Sequence, residues 1–263
     1  MKIWLNGGLQ DADTARIDPA DRGFTLGDGL FETLRVQKAK PEHLAAHLKR
    51  MRAGAEFFGL PLTQSDAEIA AAITALLEAN GQTEAMLRIT LSRGPGPRGI
   101  LPPAEATPTL LLSTGPLPPK PGPVKAIIAT CTRRNEFSPT ARFKTLNYLD
   151  NIAARREAEA KGADEALLLN SQGKLTESTA ANLFLVLDGD VLTPPVSEGC
   201  LPGIMRHVVM DRLGAATAPL AVADLWEASE AFLTSSSGIR PLITVDGKPI
   251  GTGEPGPVAS RLT

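Results

Sequence analysis

Hydrophobic positions along the first half of the chain follow two rhythms. In "KIWLNGGLQ" an apolar run breaks at Gly7-Gly8 and resumes at Leu9, which predicts a hairpin. "LFETLRV" alternates apolar and polar positions, as a half-buried strand does. From Pro41 to about Phe58 the period changes: Leu44, Leu48, Met51 and Ala55 recur at helical spacing behind an opening proline. "SDAEIAAAITALLEANG" predicts a second helix, from a Ser65/Asp66 cap to Asn80-Gly81. "AMLRITLSR" and "PTLLLST" return to strands.

The segment "TGPLPPKPGP", Thr114 to Pro123, is so dense in proline that neither a helix nor a central strand can cross it. It predicts a linker over 114–123, with a smaller α/β domain over 1–113 and a larger one over 124–263. Beyond it come the strand "VKAIIAT", the helix "LDNIAARREAEAKG" and the strand "EALLLN". Then follow a Gln172-Gly173 turn, the strand "AANLFLV" and the helix "IMRHVVMDRLG", which opens after Pro202-Gly203. Hairpins and separated helices favour an α+β fold over a doubly wound parallel sheet.

Composition narrows the function. Over 263 residues, 43% hydrophobic and 21% charged, the net charge is −2 with both signs interspersed. That pattern carries no nucleic-acid footprint and no polybasic membrane patch. Apolar runs fall short of the ~18 residues of a spanning helix. The Gly-Gly turn comes too early for a signal peptide, and Cys131 and Cys200 are isolated in sequence, as in a cytoplasmic protein with reduced thiols. His43 and His47 lie four apart on the first helix but lack a third ligand, so they read as packing or surface residues and no metal site is expected.

Four segments carry candidate chemistry. "ARFKTLNYLD" holds Lys144 where little local charge surrounds it, and a desolvated lysine can act as nucleophile or base; a surface lysine is the alternative. "GKLTESTAANLF" sets Glu177 at a passage between strands, where it reads as a loop acid. "LPGIMR" is a Pro-Gly turn feeding a helix, whose first N–H groups suit a phosphate. "LTSSSGIRPL" gathers three serines, a glycine and an arginine after an apolar strand: an anion nest or a plain polar turn. A lysine, an acid and two phosphate-type nests together meet the needs of a pyridoxal-phosphate site.

With these segments in view, the sequence resembles the class IV aminotransferase family, the fold-type IV pyridoxal-phosphate enzymes. The likeness runs in order through "DRGFTLGDGLFETLRV", "HLAAHLKRM", "ITLSRGPGPRG", "FKTLNYLDN", "ADEALLLNSQGKLTESTAANLF", "GCLPGIMR" and "LTSSSGIRPL". The resemblance implies two α/β domains with the cofactor site between them, and a homodimer. It implies that Lys144 forms the Schiff base with pyridoxal 5'-phosphate and then moves a proton. Glu177 matches the acid that pairs with the ring nitrogen. Arg50, Ile204, Met205 and Ser235 match phosphate-binding positions, and Ser236 offers a backbone N–H to the substrate carboxylate. Tyr148 resembles a tyrosine that bonds the cofactor's phenolic oxygen, one residue closer to the lysine than in those relatives.

Within the family the likeness is closest to 4-amino-4-deoxychorismate lyase and D-amino-acid aminotransferase. Thr33 matches a threonine of the lyases, where loss of pyruvate gives 4-aminobenzoate. Phe31 stands where the D-amino-acid enzymes use a tyrosine. Arg98 fits the first member of their Arg-x-His carboxylate trap, but Ile100 replaces the histidine. Arg240 would suit a second carboxylate, or an interface. The lyase is the leading expectation. A D-amino-acid or (R)-amine transaminase with a 2-oxo acid acceptor is the alternative, and a branched-chain aminotransferase stands behind both.

Overall fold

Alternating segments form the strands, and the segments of helical period cover one face of them. The structure is a computed structural model that describes residues 1–119 and 122–262. It divides into two compact units, Met1–Pro118 with Phe143–Asn147, and Pro119–Arg142 with Tyr148–Thr263. The Lys144 segment thus joins the first unit although it follows the proline-rich stretch. Of that stretch, Thr114 and Gly115 extend a strand, and Lys120 and Pro121 lie outside the described residues.

The first unit contains β1 (Lys2–Leu5), β2 (Gly8–Asp11), α1 (Arg22–Leu26), β3 (Gly29–Gln37), β4 (Lys40–Pro41), α2 (Leu44–Phe58), α3 (Asp66–Ala79), β5 (Ala85–Ser92) and β6 (Thr109–Gly115). Its sheet runs β2-β1-β6-β5-β3-β4 with antiparallel neighbours throughout. Leu34, Val36, Leu87, Ile89 and Leu91 face Leu48, Met51 and Ala55 of α2 and Ile69, Ile73 and Leu76 of α3 in one buried cluster. By the two-residue period, Phe31 and Thr33 of β3 and Arg88 and Thr90 of β5 belong to the opposite face. α3 starts where the cap predicts, with Ser65 and Glu68 forming a reciprocal capping box. α2 begins at Leu44, not Pro41. Pro41 is taken up by pairing with Val36, and His43 adopts a left-handed conformation (φ 52°) that no helix can include.

The second unit contains β7 (Val124–Ile128), α4 (Pro139–Arg142), α5 (Leu149–Ala160), β8 (Glu165–Leu169), β9 (Lys174–Ser178), β10 (Asn182–Leu187), β11 (Asp190–Thr193), α6 (Ile204–Leu213), β12 (Ala216–Thr217), β13 (Leu220–Ala221), α7 (Asp224–Glu227), β14 (Glu230–Ser235), β15 (Gly238–Val245), β16 (Lys248–Pro249) and α8 (Pro257–Ser260). The order β10-β14-β15-β7-β8-β9 returns to its start because β9 also pairs with β10, through Asn182 and Glu177. The strands therefore close into a ring. All five residues of β8 are buried, as expected of a strand covered on both faces. The fold is α+β, as the hairpins and separated helices predict. No helix among the described residues is long and apolar enough to cross a membrane.

Candidate active site

In the first unit, Lys144 is fixed by pairing of its segment with the start of β3. Its carbonyl accepts the Phe31 N–H at 2.9 Å, Leu146 N–H donates to Gly29 O at 3.0 Å, and Leu30 bridges to Thr145. Glycine at 29 permits this approach. A Cβ there would lie 2.5 Å from Leu91 O and 2.7 Å from Leu146 Cδ1. Phe143 anchors the segment from the other side, with ring centroids 4.9 Å from Phe57 and 5.5 Å from Phe58.

Lys144 Nζ lies 4.3 Å from the centre of the buried Phe31 ring. Arg88 Cζ lies 3.7 Å from the same ring. Two cations on one aromatic face its negative quadrupole. Arg88 was not singled out by any motif. Its one sequence signal is register, since it pairs directly with Thr33 in the β3–β5 ladder.

Arg50 projects from α2 to Glu32, 1% exposed on β3. Its Nε donates to Oε1 at 2.8 Å and its Nη2 to Oε2 at 2.6 Å. His47, also buried, places Nδ1 2.7 Å from Oε2. Burial alone would raise the Glu32 pKa. The hydrogen bonds from His47 and Arg50 outweigh it and hold the carboxyl below the usual range. An ionised carboxylate only accepts, so the His47 proton sits on Nδ1. His47 is therefore a buried polar partner and more than filler, a role invisible without Glu32.

Arg98 is exposed on the loop after β5. That loop is tied down by buried Arg22, which donates to Gly99 O and Ile100 O at 2.8 Å each. Arg22 and Arg93 both bond Asp28, at 2.9 and 2.7 Å.

In the second unit, Glu177 is a strand residue and not a loop acid. The run Lys174–Ser178 continues the ladder with β8, where Glu177 faces Leu168. Its Oε2 accepts Leu201 N–H at 3.0 Å and Asn182 Nδ2 at 3.4 Å. Its Oε1 lies 2.7 Å from Arg134 Nη2 but receives no hydrogen bond among the described residues, because close approach there is not matched by N–H direction. An ion pair by distance thus leaves a buried carboxylate oxygen with acceptor capacity.

Ile204 and Met205 open α6. Gly203 is the cap residue (φ −67°, ψ 141°) and has no side chain with which to bond the first-turn N–H groups. A Cβ at Gly203 would fall 2.0 Å from Asn182 Oδ1. Ser235 ends β14, and its Oγ accepts the Ser237 N–H at 3.2 Å across a tight turn that includes Ser236. Arg240 is half-buried on β15 opposite Leu233, and among the described residues its buried Nε has no hydrogen bond. Tyr148 occupies the cap position of α5 without a side-chain cap bond. Among the described residues no group of three His, Cys, Asp or Glu could hold a metal ion.

These donor sets suit pyridoxal phosphate. The open Oε1 of Glu177 suits a protonated ring nitrogen, and the uncapped start of α6 and the serine turn suit a phosphate.

The family model described as amino-transferase class IV matches residues 29–244. A putative branched-chain-amino-acid aminotransferase of Methanocaldococcus jannaschii is 31% identical over 270 residues, covering 100% of this chain and 94% of that protein. The crystal structure of Escherichia coli branched-chain amino acid aminotransferase superposes with a TM-score of 0.93 at 27% identity, covering 99% of this chain and 91% of that one. The structure of a putative 4-amino-4-deoxychorismate lyase from Legionella pneumophila gives a TM-score of 0.87 at 31% identity, covering 96% and 94%.

Proposed function

Because the chain belongs to the class IV aminotransferase family and is a pyridoxal-phosphate enzyme, we propose that it is a 4-amino-4-deoxychorismate lyase, releasing pyruvate to leave 4-aminobenzoate. The observation that carries this reading is the position of Thr33. It lies two residues from Phe31 on the strand face whose aromatic ring carries the Lys144 amine, and it retains exposure. A hydroxyl there can pass a proton during the elimination, a step that plain amino transfer does not require.

When bound, pyridoxal phosphate supplies an electrophilic carbon for the substrate amine and a ring that takes up charge as a substrate bond breaks. The remaining work falls to the chain. Lys144 holds the cofactor and then takes and returns a proton. Glu177 Oε1 keeps the ring nitrogen protonated. Arg50, Ser235 and the N–H groups of Ile204 and Met205 hold the phosphate. Tyr148 orients the ring, and the Ser236 N–H, Arg98 and Arg240 receive substrate carboxylates. We read the enzyme as a cytoplasmic homodimer.

A second reading is favoured by Arg88. A cation stacked on Phe31 beside Thr33 suits the carboxylate of an amino acid or a 2-oxo acid, as a D-amino-acid or (R)-amine transaminase, or a branched-chain aminotransferase, would need. One assay separates the two. Pyruvate released from aminodeoxychorismate with no 2-oxo acid present supports the lyase. Amino-group exchange between D-alanine or a branched-chain amino acid and 2-oxoglutarate, without that release, overturns it.

A further inference from the structure

Arg50 could serve as an anion anchor simply by its charge, but the structure surrounds it with more than that requires. A bidentate carboxylate takes the Nε–Nη2 edge of the guanidinium, with contacts of 2.8 and 2.6 Å, and so fixes the plane in which all its N–H bonds lie. The carboxylate is itself held, since His47 Nδ1 contacts the same Oε2 that receives Nη2. All three side chains are nearly removed from water, 1% exposed for Glu32, 3% for His47 and 11% for Arg50. The groups come from two elements, Glu32 from β3 and His47 and Arg50 one turn apart on α2, so each restrains the others.

A buried carboxylate beside a phosphate anchor is costly on charge alone, because it partly cancels the attraction for an anion. Removing it would take a two-point restraint from a flexible side chain with much rotamer entropy to lose on binding. The arrangement therefore sacrifices charge to gain a preset direction. We propose that Glu32, itself held by His47, is a positioning residue that fixes Arg50 in its phosphate-binding orientation and so sets the affinity for the cofactor phosphate. This rests on the reading of Arg50 as a phosphate ligand.

The test compares pyridoxal phosphate with pyridoxal, which lacks the phosphate, in absorbance and fluorescence titrations of the cofactor-free protein. Glu32→Gln is expected to weaken pyridoxal phosphate about tenfold or more, the scale of a charge-assisted hydrogen bond, and to leave pyridoxal unchanged. In an Arg50→Ala background Glu32→Gln is expected to have no further effect, since the two act as one unit. Should Glu32→Gln fail to fold, the His47 pair decides. His47→Leu is expected to weaken pyridoxal phosphate alone, and His47→Asn, whose amide N–H can stand near the lost Nδ1, to restore it. Equal weakening of both ligands, or no change in either, overturns the positioning role. If Arg50→Ala itself leaves the preference for the phosphorylated ligand intact, the phosphate reading falls and takes this proposal with it. If Arg50→Ala erases the preference and Glu32→Gln does not, the positioning role falls alone.

Discussion

Lys144 is tied to Phe31 twice, by its carbonyl accepting the Phe31 N–H at 2.9 Å and by its Nζ standing 4.3 Å from the ring centre. The backbone bond fixes where the lysine stem begins, and the ring limits where its amine can go. We predict that Lys144→Ala abolishes turnover. Borohydride reduction of the wild-type protein should leave pyridoxal phosphate on the peptide containing Lys144, and on no peptide of the variant. Cofactor trapped on another lysine would end the assignment.

Glu177 combines an oxygen that accepts two hydrogen bonds with one that lies 2.7 Å from Arg134 Nη2 and accepts none among the described residues. Glu177→Gln keeps the shape but cannot hold a ring nitrogen protonated by charge. We expect kcat to fall about 10²-fold or more, the scale seen when one electrostatic partner of a transition state is lost, with cofactor affinity changed far less. The variant also leaves Arg134, 17% exposed, without its carboxylate. A stability loss should therefore accompany the rate loss. An unchanged kcat would move the ring-nitrogen role elsewhere.

Gly203 is demanded by space and not by backbone angle. Its φ of −67° suits any residue, yet a Cβ would sit 2.0 Å from Asn182 Oδ1. Asn182 Nδ2 donates to Leu201 O at 2.8 Å, so a displaced Asn182 loosens the turn that precedes α6. Gly203→Ala is expected to cost about 1–3 kcal/mol in urea unfolding, as overpacked sites do. Adding Asn182→Ala should recover part of that loss by removing the obstructing oxygen. Full additivity of the two changes would show that the clash is not the cause.

Local signals were legible and long-range ones were not. Ser65 and Glu68 announce the α3 cap because a capping box is complete within four residues. Lys144 stood out by its segment, but its placement depends on Gly29, more than a hundred residues away, which lets the segment reach β3. The Glu32–Arg50 pair was hidden for the same reason. Eighteen residues separate its members, and only packing of α2 on the sheet brings them together. Glu177 looked like a loop acid because Thr176, Glu177 and Ser178 are polar. They are buried strand residues whose side chains find partners in a closed ring of strands, where period-two patterning no longer separates core from solvent. Arg88 had no motif at all, only a register partner.

Cys200 and Cys131 should part company in alkaline solution. Cys200 is 1% exposed, with Sγ 3.5 Å from Pro194 O, whereas Cys131 is exposed. Burial, followed by the nearby Glu177 charge, pushes the Cys200 thiol up to about 12 from a usual value of 9.0. A pKa raised by folding means the folded state favours the thiol. That contribution is whole below about pH 9, where the unfolded thiol is also protonated, and is lost as pH rises toward 12. Relative to Cys200→Ala, the wild-type protein should therefore lose about 2 kcal/mol of stability between pH 9 and 11, with one group titrating at ~1.4 kcal/mol per unit. Iodoacetamide at pH 8 should add one carbamidomethyl group to the native protein, at Cys131, and two in urea. Two groups on the native protein, or parallel stability curves for wild type and Cys200→Ala, would show that the thiol is not held in its protonated form.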